Sequence, residues 1–239
     1  DKVQQVLALS GKVVVVSKRK NGQLTCDRLE WLPKRKRYHA IGNVVAKLKR
    51  EGLFENTLLF FISDNGGPLA QSANNAPLRA GKHSDYEGGI RVPWIAHWPA
   101  VIAPGSTSTQ TCMTMDWSAT MLDAAGATAA ASHPLDGRSL MPLLRDATWR
   151  DDQPLFWRMN HRGQRAMRHG PWKYLRVDGH DYLFNLEGDE RERANLAPIA
   201  PERLAAMVQA WEAWEATMPP IPADATVSLG YGVKDMPQR

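Results

Sequence analysis

One short segment, residues 58–67 with the sequence LLFFISDNGG, constrains the fold most strongly. Five consecutive apolar residues are followed by Ser63 and then by Asp64-Asn65-Gly66-Gly67. A run this short and this uniformly apolar predicts a buried β-strand rather than an amphipathic helix. In α/β sheets, ligands gather beyond the carboxyl ends of the strands. The polar turn is therefore the first candidate for a functional site.

The segments on either side of this strand indicate an α/β fold. Apolar residues at helical spacing precede it and predict a helix that ends at Gly52. The segment VPWIAHWP, residues 92–99, predicts a second buried strand. Helix and buried strand in alternation are typical of α/β domains. The apolar positions of the predicted helix are Ile41, Val44, Val45, Leu48 and Leu53.

The later part of the chain has a different texture. Residues 115–126 predict a helix ended by Gly126, and LDGRSLMPLL predicts a turn followed by a short helix. After Arg150, four short apolar segments separated by turn residues predict a small antiparallel sheet. A helix with Pro201 in its first turn then follows.

Charge divides the chain into a basic arm and a nearly neutral body. Residues 1–37 contain ten Lys/Arg and three Asp/Glu, a net charge of +7, so the remainder carries 5 − 7 = −2. We expect a solvated, partly disordered arm, with two alternatives: a nucleic-acid contact, or a segment that is not native to the body. A nucleic-acid partner is disfavoured because aromatic residues do not interleave with the basic ones.

Bulk features exclude several classes of protein. No apolar run approaches the roughly 18 residues of a membrane helix, so no membrane partner is expected. Cys26 and Cys112 allow at most one disulfide and leave the redox compartment open. The chain shows no signal peptide and does not begin with Met, which suggests a processed or truncated product.

The polar turn and the loop after it carry groups suited to a metal ion and an anion. Asp64 and Asn65 offer the hard oxygen donors that Ca²⁺ or Mg²⁺ prefers, although the same tetrapeptide also fits an Asx-type turn. Arg79 and Lys82 follow in a glycine-containing loop between the two predicted strands. A lysine ammonium suits an oxyanion such as sulfate or phosphate, and the alternative for both cations is an ordinary surface position.

Several ordered motifs resemble the later half of a type I sulfatase of the arylsulfatase family, within the alkaline-phosphatase-like superfamily. The similarity extends from about Tyr38 to Met218 and disfavours a phosphoesterase. It implies an α/β fold with a mixed sheet between helices, here partial, plus a small C-terminal antiparallel sheet and helix. It divides the chain into an unmatched arm (1–37), the later part of the α/β domain (38–150) and a C-terminal subdomain (151–239). The motifs are SDNGG, NAPLRAGKHSDYEGGIRVPWIAHWP, LDGRSLMPLL, RAMRHGPWKYL and YLFNLEGDERERANLA.

The resemblance also implies roles for individual residues. Asp64 and Asn65 match the pair that ligates a calcium ion beside the sulfate. Lys82 matches the catalytic lysine that binds a sulfate oxygen and stabilises charge during S–O cleavage. Glu87 and Arg91 would shape the loop, and His83 would lie at the rim of the pocket. The implied ligand is a small sulfate ester or a sulfated sugar.

The family's nucleophile is a formylglycine made from Cys in a C-x-[PA]-x-R motif, and this sequence contains no such motif. Cys26 stands in CDRLE, Cys112 in CMTMD, and Ser132 in SHPLD. We therefore expect a sulfuric ester hydrolase whose nucleophile-bearing N-terminal half must come from elsewhere, so that this chain alone is inactive. The alternatives are a non-catalytic remnant or interaction protein, and a nucleic-acid binder acting through the arm. Many relatives are exported, which makes a periplasmic or extracellular location plausible.

Overall fold

The computed structural model describes residues 7–17, 22–32, 37–41, 48–71, 73–222 and 225, with side chains for those from Leu48 onward except Gln71. The chain divides into two compact units. Unit 1 comprises residues 1–62 and 94–150, and unit 2 comprises residues 63–93 and 151–239. Residues 63–93, which carry the candidate site, thus group with the C-terminal residues. The three-part division expected from the sequence stays a prediction.

Among the described residues, nine strands and four helices have defined bounds and are labelled in chain order. The strands are β1 (Leu7–Ser17), β2 (Gly22–Leu32), β3 (Arg37–Ile41), β4 (Leu59–Ile62), β5 (Trp94–His97), β6 (Leu155–Met159), β7 (Gln164–His169), β8 (Trp172–Val177) and β9 (His180–Asn185). The helices are α1 (Glu87–Ile90), α2 (Asp116–Ala125), α3 (Met141–Arg145) and α4 (Pro201–Glu215). Together they form a mixed α/β fold with antiparallel sheets.

The expectation of a partly disordered basic arm is wrong for the residues that the structure describes there. Strands β1, β2 and β3 form an antiparallel sheet in that order. The β1–β2 register runs from Leu7 opposite Trp31 to Ser17 opposite Gly22, with an irregularity between Ser10 and Val13. Much of β1 is the β-branched run Val13 to Val16, which favours a strand over a disordered chain.

The helix predicted around residues 41–53 is only partly within the described residues. Ile41 ends β3 instead of opening a helix, and residues 48–50 are helical. Val44 and Val45 lie outside the described residues. Gly52 has a φ of 65°, the left-handed conformation expected of a residue that ends a helix.

The two strands predicted from apolar runs are both present in unit 1. Strands β4 and β5 pair antiparallel, with Leu59 opposite His97 and Ile62 opposite Trp94. They are less buried than expected, because Phe61 alone among the four β4 residues is buried. Each has only the other as a described sheet neighbour. A nearby cluster centred on Trp98, Met141 and Leu144 covers Phe60 and Trp94.

Helices α2 and α3 confirm the predicted helical segments, and one buried carboxylate organises the chain around them. Asp116 is 4% exposed and accepts hydrogen bonds from the amides of Met113 (2.8 Å) and Arg138 (3.1 Å). Gly137 is required there, since a Cβ would lie 2.2 Å from the Met115 carbonyl oxygen. The LDGR turn is thereby fixed beside the first turn of α2.

Unit 2 is built on the predicted four-stranded antiparallel sheet, with strand order β6-β7-β8-β9. Side chains on consecutive residues of a strand point to opposite faces. On one face, Tyr174 packs with Met207 and Trp211 of α4. On the other, Leu175 and Val177 pack with Tyr86 from the 63–93 segment. The sheet therefore lies between helix α4 and the segment that carries the candidate site.

No helix among the described residues is both long enough and apolar enough to span a bilayer.

Candidate functional site

The polar turn after β4 is closed by its own side chains. The Ser63 hydroxyl donates to the Asn65 carbonyl oxygen (2.9 Å). The Asn65 amide nitrogen donates to Asp64 Oδ2 at 2.6 Å. Asp64 is exposed and Asn65 half-buried. This bond orients the two side chains against each other. Within the described residues, the amide oxygen of Asn65 and Oδ1 of Asp64 remain available to another partner.

Gly66 is required by backbone packing. A Cβ at this position would lie 1.7 Å from the carbonyl oxygen of Gly88. The Gly66 amide donates to the carbonyl oxygen of Gly89 at 2.8 Å. The space beside Gly66 is therefore filled by the protein's own backbone at α1.

Asn75 ties the turn to the loop that precedes Lys82. Its Oδ1 accepts from the Gly67 amide (2.9 Å), and its Nδ2 donates to the carbonyl oxygens of Gly67 (2.8 Å) and Ala80 (3.1 Å). The motif NAPLRAGKHSDYEGGIRVPWIAHWP begins at this residue, but the sequence does not show that its side chain joins the two segments. Its side chain satisfies both hydrogen-bonding groups of the half-buried backbone residue Gly67.

Lys82 is held beside the same turn through its backbone. Its amide donates to the Gly67 carbonyl oxygen at 3.2 Å. Asp64 is three residues before Gly67, so their Cα atoms are at most about 11 Å apart. Gly81 permits this approach, since a Cβ there would lie 2.4 Å from the same carbonyl oxygen. The structure thus brings the segments of Asp64, Asn65 and Lys82 together, and the catalytic and metal-binding roles of these residues stay predictions.

Comparison with known proteins agrees with these motifs. The family model described as Sulfatase matches residues 38–127. A sulfatase of Formosa agariphila is 36% identical over 173 residues, which cover 65% of this chain and 31% of that protein. The steryl-sulfatase of Rattus norvegicus is 41% identical over 113 residues, covering 44% of this chain and 20% of that protein. The chain belongs to the sulfatase family.

A solved structure supports the sulfatase fold. Ps i-CgsB, crystallised in complex with k-i-k-neocarrahexaose, is 35% identical with a TM-score of 0.68. The match covers 72% of this chain and 39% of that chain. The sulfatase chain therefore spans about a third or less of the length of the two curated relatives. It spans under half of the Ps i-CgsB chain.

The oxygen donors of Asp64 and Asn65 in this sulfatase chain are of the type that binds a hard divalent cation, but there are too few of them to complete its coordination. Asp64 and Asn65 present oxygen donors of the type that Ca²⁺ prefers, but Ca²⁺ takes 6–8 oxygens. Within the part of the chain that the structure describes, no group of three or more His, Cys, Asp or Glu side chains is placed to hold a metal ion. A cation here needs further oxygens from water, from substrate or from another polypeptide segment.

Arg79, considered from the sequence as a second cation for the anion, is committed elsewhere in this sulfatase chain. Its guanidinium donates to the Glu192 carbonyl oxygen at 2.8 Å. It also lies over the Tyr86 ring, 4.2 Å from the centroid. Its pairing is therefore with the C-terminal part of unit 2. For Arg91, which is expected to shape the loop, the Nη1 atom lies 3.9 Å from Glu190 Oε2.

His83 follows Lys82 with a left-handed φ of 72°. Its carbonyl oxygen accepts from Gln164 Nε2 at 3.1 Å, while Gln164 Oε1 accepts from the Asp85 amide at 3.0 Å. Gln164, only 2% exposed, thus fixes both sides of Ser84 against β7. Half-buried His83 is compatible with the rim position that the resemblance implies, which stays a prediction.

A buried ion cluster supports the same loop, and sequence reasoning found only one of its members. Lys173 Nζ lies 2.9 Å from Glu87 Oε1 and 2.8 Å from Glu192 Oε1. The three side chains are each at most 1% exposed. Burial raises the pKa of Glu192, and the nearby Lys173 ammonium partly offsets this rise. Periodicity places Lys173 in a strand but cannot show that a lysine there is buried.

Asp85 adds a further carboxyl group to this region. It is 2% exposed, and its Oδ2 has no hydrogen-bond partner among the described residues. Burial raises its pKa from 3.8 to about 6, against the opposing effect of the Lys173 ammonium. Asp85 is therefore ready to take up a proton in mild acid.

Proposed function

We propose that this chain supplies the sulfate-binding and cation-binding part of a sulfuric ester hydrolase. Lys82 binds a sulfate oxygen and stabilises the charge that develops as the S–O bond breaks. Asp64 and Asn65 contribute ligands to a Ca²⁺ ion, which when bound supplies Lewis-acid polarisation and orientation of the sulfate group. The nucleophile comes from a residue outside this sequence, since neither Cys26 nor Cys112 lies in a formylglycine motif.

The observation that carries this proposal is the hydrogen bond from the Lys82 amide to the Gly67 carbonyl oxygen. It joins the loop with the cation to the turn with the oxygen donors. Asn75 and Gly81 make the same connection independently. Three separate constraints on one backbone carbonyl support a built site over a chance approach of two loops.

The substrate class we propose is a sulfated sugar. The structural relative at 35% identity is described in complex with an oligosaccharide, k-i-k-neocarrahexaose. A small aryl sulfate remains the practical probe, because it reports cleavage of the ester without demanding the natural sugar.

Sulfate binding by the purified chain tests the proposal directly. Calorimetric titration with sodium sulfate in the presence of CaCl₂ should show binding, and Lys82→Ala should weaken it roughly 10- to 100-fold, as loss of a charged hydrogen bond implies. Lys49→Ala is the matched control, since Lys49 is an exposed lysine of unit 1. Equal weakening by both variants, or no sulfate binding by the wild type, would reject the proposal.

A non-catalytic sulfatase homologue is the second candidate, favoured by the lack of a C-x-[PA]-x-R motif in the 239 residues. Sequencing the coding DNA upstream of the Asp1 codon separates the two. An in-frame formylglycine motif supports the hydrolase, and its Lys82→Ala variant should then lose about 10²–10³-fold in kcat for a chromogenic aryl sulfate. A stop codon directly upstream, with no turnover by the purified chain, supports the non-catalytic homologue.

A further inference from the structure

Lys173 is a fully buried cation whose ion-pair partners both come from outside the four-stranded sheet. It lies in β8, with a side-chain exposure of 0%. Glu87 opens α1, in the segment that carries the candidate site, and Glu192 follows β9. Taking charges out of water is costly unless they are paired with good geometry. The contacts of Lys173 therefore connect the sheet to two other segments.

The cluster continues into the backbone of the 79–90 loop. The Glu87 amide donates to Glu192 Oε2 at 2.7 Å, so one carboxylate binds both the Lys173 ammonium and the first turn of α1. The Gly88 amide donates to the Arg79 carbonyl oxygen at 2.8 Å. A Cβ on Gly88 would lie 2.4 Å from that oxygen. This backbone is packed too closely to shift independently of the cluster.

The same glycine segment contacts the candidate site. The Gly89 carbonyl oxygen accepts from the Gly66 amide at 2.8 Å, and the Gly88 carbonyl oxygen occupies the space beside the Gly66 Cα. Gly66 lies directly after Asn65, and the next residue, Gly67, holds the Lys82 amide. An uninterrupted set of contacts thus joins Lys173 to the turn and to the Lys82 loop.

We propose that Lys173 is a positioning residue for the candidate site: through Glu87 and Glu192 it holds Gly88 and Gly89 against the turn that carries Asp64 and Asn65. Its consequence for sulfate binding rests on the proposed function, whereas its effect on the loop does not. Lys173 also lies on the sheet face that packs against Tyr86, opposite the face covered by α4. Changes on the α4 face therefore provide a control.

Hydrogen exchange of the purified full chain, read by mass spectrometry, tests the proposal. The informative variants are Lys173→Met and Glu192→Gln, and the second guards against failure of the first to fold because it leaves the Lys173–Glu87 pair intact. Exchange should become roughly 10- to 100-fold faster in peptides covering 64–67 and 79–90 while β7 and β8 remain protected. Unchanged exchange in both loop peptides would overturn the proposal.

Arg176→Met is the matched control. Arg176 lies on the same strand, pairs with Asp181 at 2.5 Å, and is 28% exposed on the other face. This variant should lower the melting temperature without accelerating exchange in the loop peptides. Loop exchange as fast as in Glu192→Gln would show that Lys173 acts only through overall stability, and would likewise overturn the proposal.

Repeating the exchange measurement with inorganic sulfate and CaCl₂ tests the consequence for sulfate binding. The sulfate concentration that gives half-maximal protection of the 79–90 peptide should rise roughly tenfold in Glu192→Gln and stay at the wild-type value in Arg176→Met. If sulfate protects no variant, including the wild type, the proposed function fails while the exchange comparison still decides the positioning role. If the wild type is protected and Glu192→Gln requires no more sulfate, the positioning role in binding is rejected.

Discussion

Gly66 lies so close to Gly88 that a Cβ at residue 66 would come within 1.7 Å of the Gly88 carbonyl oxygen. A glycine in the turn therefore packs directly against a glycine in α1 that lies 22 residues later in the chain. This pairing fixes the distance between the oxygen donors of the turn and the loop behind Lys82. It gives the first of four predictions.

Gly66→Ala should destabilise the protein strongly, because the added methyl group would overlap the backbone of Gly88 and Gly89, which cannot move aside as a flexible side chain can. We expect a loss of at least about 1–3 kcal/mol in the free energy of unfolding, the usual cost of overpacking. Gly188→Ala is the control, since a Cβ there has nothing within 4 Å and its φ is not positive. Chemical denaturation measures both variants, and equal midpoints would contradict the close packing.

Asp85→Asn should remove a pH dependence of stability. In the folded protein burial raises the pKa of Asp85 from 3.8 to about 6, so the folded state binds this proton more tightly than the unfolded state. Stability from this group is therefore greatest below pH 4 and is lost as pH rises through 6. The full difference corresponds to about 3 kcal/mol.

The variant should accordingly be more stable than the wild type at pH 8 and similar to it at pH 4. The charged groups of the neighbouring ion cluster are Lys173, Glu87, Glu192 and Arg168, and the variant retains all four. Asp136→Asn, at an exposed position, is the control and should run parallel to the wild type. Thermal melts between pH 4 and 8 give the measurement, and a wild-type curve parallel to that of Asp85→Asn would disprove the assignment.

Asn75→Ala should loosen the connection between the turn and the Lys82 loop. The change leaves the Gly67 amide and the carbonyl oxygens of Gly67 and Ala80 without their side-chain partner. Loss of a partner costs about 1–3 kcal/mol for a buried group, and because these groups are half-buried we expect a loss near the lower end of that range. Denaturation midpoints should fall accordingly, whereas Gln153→Ala at an exposed position should stay within about 0.5 kcal/mol of the wild type. A result for Asn75→Ala inside that margin would show that the connection does not depend on this side chain.

Calcium should stabilise the wild type weakly and Asp64→Ala less. Two protein oxygens give an incomplete ligand set, so we expect a dissociation constant near or above about 10⁻³ M, the weak end of protein calcium sites. Melting temperatures with and without CaCl₂, at constant ionic strength, measure the effect through ligand linkage. Asp152→Ala, at another exposed carboxylate, is the control. Equal calcium responses in the two variants would mean that the ion does not use Asp64.

Local sequence patterns are sufficient to predict most of the helices and strands named above. The apolar run before Ser63 is strand β4, Gly126 ends α2 in a left-handed conformation with a φ of 68°, and Pro201 opens α4. The alternating segments after Arg150 form the antiparallel sheet. These features follow from side-chain periodicity and from the conformational preferences of Gly and Pro, which act within a few residues. The motifs around Asp64 and Lys82 likewise indicate the sulfatase family.

Which side chains lie together in the folded protein follows from long-range packing. Lys173 and Glu87, 86 residues apart, form a buried pair, and Arg79 is bound to Glu192. Residue type alone does not predict that a lysine is buried or that an arginine is paired, because both residues are usually exposed. The raised pKa of Asp85 arises from burial, and the requirement for glycine at residue 66 arises from the Gly88 backbone. Burial and close backbone approach depend on contacts between segments that are distant in the chain, and local sequence patterns do not predict those contacts.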